Sequence, residues 1–466
     1  MKWNPVLTSR NRPTPYEGSA AVPVAPGAVP LLGHALTLMR NPAAWLTACR
    51  ATGPLVEIRL GGRAAFLACT PELVNEMLTT KMKQFDKGGP LFDRARAVFG
   101  AGLVTTTHDA QRQQRPLMQP AFSREGLASY VEAMQQESEA LTATWRPGTP
   151  LDILAEMHAL TMRVFLRVML PSAEIAQHAS LASQIKGLTD GVAARTALPW
   201  MEKIPNVANR RYAQARKQLW DTARRAADRS QPDLGRLLKA LSVSDAEGKT
   251  LTEEELAPQI VNLLVAGTET NAALLTWIFH LLDREPEVQG RLRHEMADVL
   301  GGRPANLRDM HALTLTRNVI LETMRLMPPI WALTRTTASE VELGGYRFPA
   351  GTDFVFSPYQ LHHDPAYFPD PEAFVPDRWN ELSNRAEKAF IPFGAGRRRC
   401  IGETFALAET TIALSTVLSR WTLRTVPGSR TRPRFRSSLN AAGMRMIPTE
   451  AREPSLDRSE ATSPLS

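Results

Sequence analysis

Three cysteines in 466 residues leave no material for a disulfide framework. Cys49, Cys69 and Cys400 form no Cys-x-x-Cys, and the nine histidines form no His-x-x-x-His, so a zinc centre of those spacings is excluded. Cys49 and Cys69 are expected to be small buried hydrophobes. No stretch of about 20 apolar residues is present, and Met1 to Ala20 is polar, proline-containing and without a signal core. A membrane anchor is therefore not expected, and a cytoplasmic location is. Polybasic tails and lysine clusters are also lacking. The net charge of +8 comes from scattered arginines such as Arg210-Arg211 and Arg397-Arg398-Arg399. That distribution argues against a nucleic-acid groove and fits a face for an acidic protein partner. There is no internal repeat, no long linker, and no flavin or iron–sulfur segment.

What is present is ordinary globular material, 43% hydrophobic and 22% charged, enough for a large core. Residues 1–20 and 448–466 read as flexible tails around one domain, 21–447. A helical stretch near 42–52 precedes two strand-like runs, Leu55 to Leu60 and Ala64 to Cys69, with Gly61-Gly62 as a hairpin spacer. From 71 to about 330 the pattern is mostly helical. Strands return from Thr334 to Phe356, followed by a proline-rich meander from Asp364 to Trp379. A helix is expected from about 401 to 420. The class is mainly α with small β-sheets.

Cys400 lies in Phe393-Gly-Ala-Gly-Arg-Arg-Arg-Cys-Ile-Gly402, between three arginines and the start of a helix. Cations and a helix N-terminus lower a thiol pKa, as an arrangement for holding a thiolate against a metal requires. Gly394, Gly396 and Gly402 let backbone approach a flat ligand in conformations closed to other residues.

The longest helical segment, Thr252 to about Asp283, opens on the capping box Thr252-x-x-Glu255. It is apolar on most sides and so is expected to be buried. In its middle stands Ala266-Gly-Thr-Glu-Thr-Asn271. Thr270 can donate to the carbonyl of Ala266 one turn back, and Ala266 and Gly267 leave that face bare. The outcome is a notch with a hydroxyl and a carboxylate beside it.

The spacing Phe-x-x-Gly-x-Arg-x-Cys-x-Gly resembles the haem-binding loop of the cytochrome P450 family, and the order of elements is similar from about Pro23 to Met446. The resemblance implies the cytochrome P450 fold and a haem-thiolate monooxygenase with haem b. It makes Cys400 the axial iron ligand and Phe393 part of the haem loop. Glu269 and Thr270 would deliver protons during dioxygen cleavage, with Asn271, where Ser or Thr is often found, adjusting the water pattern. Propionate donors would be Gln111, Arg115, Arg335 and Arg398. Gln111 stands where an aromatic or histidine is usual, and Pro116 follows Arg115 and should disturb a helix. Glu322, Arg325 and Arg378 would form a buried structural triad.

The resemblance further implies electrons from NAD(P)H through a ferredoxin reductase and an acidic ferredoxin. A monomer is expected. The candidate substrate lining, Leu103, Val261, Leu264, Val265, Trp331, Leu333 and Met444, carries no charge, which favours a neutral hydrocarbon-like molecule. Phe85 to Asp93 and Trp331 to Tyr346 are similar to actinobacterial sesquiterpene oxygenases, so a cyclic terpene of secondary metabolism is expected. Two alternatives remain: a peroxide-driven haem-thiolate enzyme acting on a fatty acid or polyketide, and a non-enzymatic haem sensor.

Overall fold

The computed structural model describes residues 14–15, 21–30, 32–60, 63–169, 175–197, 199–228, 236–241, 248 and 250–451. Helix α1 (Pro42–Thr52) starts where the Asn41 side chain accepts from Ala44 N–H and Pro42 supplies a preset φ. It leads into β1 (Leu55–Leu60) and β2 (Arg63–Ala68), antiparallel with Leu60 opposite Arg63. The expected spacer, Gly61-Gly62, lies outside the described residues.

Strand β2 pairs in parallel with β5 (Asp353–Phe356), which pairs antiparallel with β4 (Leu333–Thr337). At the edge, β3 (Phe85–Asp86) sets Asp86 opposite Thr336, one residue from Arg335. The sheet order is β1-β2-β5-β4-β3. Strand β3 falls in the stretch read as mostly helical; two residues carry no detectable period-2 signal.

The helical part comprises, among others, α2 (His108–Met118), α3 (Val131–Thr144), α4 (Ile153–Met169), α5 (Ile175–Ala197), α6 (Val207–Ala227), α7 (Glu253–Arg284), α8 (Thr314–Leu326) and α9 (Glu403–Arg420). The capping box at Thr252 is formed reciprocally with Glu255. From there α7 runs through the main hydrophobic cluster and packs on α4, α6, α8 and α9. A Cβ on Gly267 would lie 2.1 Å from the Phe165 ring. Gly267 therefore admits α4 against α7 and does not open a notch, contrary to the sequence reading. The near all-round apolarity of α7 is explained by these four neighbours.

Beyond α9, β6 (Trp421–Thr425) pairs with β9 (Arg445–Glu450), and β7 (Arg432–Phe435) forms a hairpin with β8 (Leu439–Ala442). Strand β9 keeps its register through Pro448, Thr449 and Glu450, three residues past the expected start of the tail. Thr14 and Pro15 likewise pair with Arg347 and Tyr346 inside the stretch read as an N-terminal tail. Backbone pairing needs neither the apolar periodicity missing after residue 447 nor an apolar N-terminal stretch. The rest of the two expected tails, apart from Ala451, lies outside the described residues. Among the described residues no helix is long and apolar enough to cross a membrane.

Candidate active site

The cysteine loop closes on itself where Cys400 N–H donates to Phe393 O at 2.9 Å. Gly396 has φ +65°, and a Cβ there would lie 1.9 Å from the Leu78 carbonyl oxygen. Only glycine fits both conditions. Gly402 has φ −88°, so no special conformation is demanded of it. Phe393 is half-buried and packs against the main core.

Cys400 has exposed surface, yet the protein gathered around it pushes its thiol pKa up by desolvation. A Gly402 backbone N–H, Lys87 and Arg115 pull the other way and do not prevail. The sequence expectation of a lowered pKa is thus reversed in direction. Enclosure by the surrounding protein outweighs the cations. Metal coordination itself deprotonates such a thiol.

Helix α2 grips this loop. Gln111 Nε2 donates to Arg397 O at 3.0 Å, and Arg115 Nη1 donates to Arg399 O at 2.7 Å. Their spacing of four residues puts both on one face. The Gln111 amide therefore holds the cysteine loop, where the resemblance implied a propionate donor. Pro116 sits inside α2 without breaking it; the helix ends two residues later and passes into a 3-10 turn. Pro116 has no N–H to give the Arg112 carbonyl one turn back, and the α-helix gives way to the 3-10 turn soon after it.

Arg335 is buried on β4, and Arg398 is half-buried beside it. Arg398 donates to Asp86 at 2.7 Å and to Thr106 O at 3.1 Å. Asp86 also accepts from His108 N–H at 2.8 Å, tying β3 to the start of α2. Arg335 donates to Thr334 O, and among the described residues no carboxylate forms an ion pair with it. Burial and the Arg398 charge bring its pKa down to about 10. Lys87 stands in the same field, its ammonium donating to Val104 O at 2.7 Å. Arg335, Arg397 and Arg398 line a cleft with Met77, Leu78 and Phe85, and burial with the Arg335 and Arg398 charges lowers the pKa of nearby Lys87. An apolar plate bearing two carboxylates, which is what haem is, suits this excess of charge. Asp86 and Lys87 were missed as site residues. The charge of Asp-Lys beside a Gly-Gly was readable, but the position of Asp86 opposite Thr336, next to Arg335, follows from strand pairing.

On the far side, Thr270 Oγ1 donates to Ala266 O at 2.7 Å, the expected one-turn bond. Glu269 is buried and accepts from Ser437 and Ser438, each at 2.7 Å, in the β7–β8 turn. Neither serine was singled out from the sequence. Asn271 turns away from that group and donates to the Glu409 carboxylate of α9. Asn271 therefore joins two helices, where the sequence reading gave it a water-ordering role.

Burial pushes the Glu409 pKa up to about 8, against the lowering bond from Asn271. The folded chain holds this proton more tightly than the unfolded chain does. Its contribution to stability is full below the ordinary carboxyl range and is lost as pH rises through about 8. Glu409→Gln keeps an acceptor for Asn271 and has no proton to lose. It should match the wild type in Tm near about pH 5 and exceed it by about 2 °C or more at about pH 8. Melting curves across that range check this, and a constant difference would contradict it.

Glu322 and Arg325 of α8 are fully buried and paired at 2.9 Å, and Arg378 joins the same carboxylate at 2.9 Å. The candidate lining is not brought together as one wall. Leu103, Val261, Leu264, Val265 and Met444 belong to the main core, whereas Leu333 packs in the sheet cluster. Trp331 is separate again: it packs edge-on to Phe435 at 5.2 Å and donates to Arg436 O at 2.8 Å. His362 and His363 hold no metal arrangement: His362 Nε2 accepts from Ile391 N–H at 3.0 Å, and His363 stacks on Tyr359. Cys49 and Cys69 are both buried, as expected.

The family model for cytochrome P450 matches residues 23–450. Cyclooctat-9-en-7-ol 5-monooxygenase of Streptomyces melanosporofaciens is 42% identical over 92% of this chain and 95% of its own. Cyclooctatin synthase of the same organism is 41% identical over 91% and 95%. Pentalenene oxygenase of Streptomyces avermitilis is 40% identical over 88% and 93%. A cysteine loop built against a cation-rich apolar cleft is what such a match requires of the residues, and with both in hand the chain belongs to the cytochrome P450 family.

Proposed function

We propose that the protein is a monooxygenase that oxidises a cyclic terpene in secondary metabolism, with electrons passed from NAD(P)H by a ferredoxin reductase and an acidic ferredoxin. The observation that carries the substrate class is the likeness to oxygenases named for pentalenene and cyclooctat-9-en-7-ol over about nine-tenths of the chain. When bound, haem supplies the activation of dioxygen, chemistry that no side chain provides.

The chain's own residues have distinct tasks in this reading. Cys400 offers the thiolate ligand. Arg335, Arg398, Arg115 and Lys87 hold the two propionates by charge. Glu269 and Thr270 hold and pass protons on the α7 side. On α7, Val261 and Leu264 are fully buried and exclude water, while half-buried Val265 gives apolar substrate contact worth about 25 cal/mol per Å² buried. The ferredoxin docks near the cysteine loop on Arg397, which is exposed. Arg399 contributes less there, because it is paired with Glu403 at 2.6 Å.

Titration of the holoenzyme with sesquiterpene hydrocarbons should shift the Soret band to shorter wavelength, and fatty acids of equal carbon count should not. In Thr270→Ala the product formed per NADPH consumed should fall about tenfold, with hydrogen peroxide in its place. Tight fatty-acid binding without terpene binding, or peroxide-supported turnover exceeding that with ferredoxin, would overturn this reading.

A further inference from the structure

Glu269 is the buried acid of α7, and its contacts lead outward. Its Oε1 accepts from Ser438 Oγ and from Ser437 Oγ, both at 2.7 Å. The two serines differ in what else they touch. Ser438 is buried and accepts from Asn440 Nδ2 at 2.8 Å, so its only proton is committed to Glu269. Ser437 is half-buried, and its Oγ also lies 3.3 Å from Asp190 Oδ1 of α5. One hydroxyl proton therefore stands between two carboxylates. Asp190 in turn reaches the surface: its side chain is 28% exposed and lies 3.4 Å from Lys186 Nζ, itself 29% exposed.

We propose that Asp190 and Ser437 form the proton entry to Glu269. The step balances within the chain. The Asp190 O–H bond breaks as that proton bonds to Ser437 Oγ. The original Ser437 O–H bond breaks as its proton bonds to Glu269 Oε1. Asp190 takes a new proton from a solvent hydronium ion, which leaves as water, and rotation about Cβ–Oγ resets Ser437. One proton has moved from a solvent-facing carboxylate to a buried one, next in sequence to Thr270. No oxidant or reductant is needed.

The groups around Asp190 suit this task. Lys186 on its own helix attracts Asp190 without enclosing it. His158 of α4 presents a buried Nε2 without a hydrogen-bond partner among the described residues, and burial with the Lys186 charge takes its pKa down to about 4. It is therefore neutral at working pH and does not compete as a proton donor. On the α6 side, Tyr212 lies against Gly191, and its ring is covered by Arg195. The exposed part of the Asp190 side chain lies beside Lys186, which is also partly exposed.

The inference rests on the monooxygenase reading. A purely mechanical role, in which the serines pin the β7–β8 turn to α5 and α7, is the alternative to be separated. The experiment uses the holoenzyme as wild type, Ser437→Ala, Ser437→Thr and Asp190→Asn, with a surrogate ferredoxin and reductase. The ratio of NADPH-linked turnover to turnover driven by added hydrogen peroxide, read with guaiacol as probe, is measured for each. Hydrogen peroxide brings its own protons, so loss of the relay should lower this ratio about tenfold in Ser437→Ala and Asp190→Asn. The solvent isotope effect on NADPH oxidation should rise about twofold, and Ser437→Thr should restore both values. Equal loss of both turnovers, or an unchanged isotope effect, overturns the relay and leaves the mechanical role. Failure of the wild type to oxidise any sesquiterpene hydrocarbon overturns the substrate reading alone, because the isotope effect needs no product. Failure to oxidise NADPH under any condition overturns both.

Discussion

Cys400→His is expected to yield a folded protein whose reduced carbon-monoxide complex has lost the red-shifted Soret band of thiolate ligation. NADPH-linked product formation should fall to background. The fold is expected to survive because the loop is held by backbone. The bond from residue 400 N–H to Phe393 O does not involve the side chain, nor do the acceptors offered to Gln111 and Arg115. Gly396 keeps its close approach to Leu78 O in either protein. What changes is the ligand alone. A thiolate donates electron density that favours O–O cleavage, and a neutral imidazole does so far less. Cations around the loop remain, so haem should still be retained. A spectrum identical to wild type in Cys400→His would refute ligation by this residue.

The sequence was most legible where one residue type has one physical use. The capping box at Thr252 sits at its expected place, because a hydroxyl and an acid three residues apart before an apolar run satisfy the orphan N–H groups. The bond from Thr270 to Ala266 follows from helix geometry alone. The hairpin of β1 and β2 was likewise visible as two strand-like runs on either side of Gly61-Gly62.

What was not legible depends on tertiary neighbours. Gly267 reads as an open face in isolation, and only the arrival of Phe165 makes it a packing contact. The Cys400 thiol reads as acidified by nearby arginines, and only the surrounding density reverses the direction. Asn271 could have pointed along α7, but the buried Glu409 draws it to α9. Asp86 pairs with Arg398 across more than 300 residues, a contact set by strand β3 joining β4. Trp331 lies outside the α7 cluster because Phe435 and the Arg436 carbonyl of the β7–β8 hairpin, distant in sequence, hold its ring.

The largest loss of stability is expected from Glu322→Gln. One carboxylate here receives five donors. Arg325 Nε and Nη2 reach it at 3.0 and 2.9 Å, Arg378 Nε at 2.9 Å, Val375 N–H at 2.9 Å and Trp379 Nε1 at 2.9 Å. Arg325 is itself fully buried, and its remaining donors serve the carbonyls of His362, Pro371 and Ala373. The pair therefore fastens α8 to the proline-rich meander that leads to the cysteine loop. A glutamine offers one acceptor oxygen and turns an N–H₂ toward a guanidinium or an N–H. It removes the negative charge and leaves Arg325 and Arg378 facing each other without a counter-ion. Breaking a buried pair from one side costs about 3–5 kcal/mol, since the surviving charge stays desolvated. That is a large part of the about 5–15 kcal/mol available to a folded domain. Glu322→Gln should thus accumulate as insoluble chain or, if recovered, unfold at much lower urea and carry little haem. Arg378→Lys, at the more exposed end of the same group, should lose less. A urea midpoint for Glu322→Gln within about 1 kcal/mol of wild type would mean that the five donors find other partners, and the structural role assigned to the triad would be wrong.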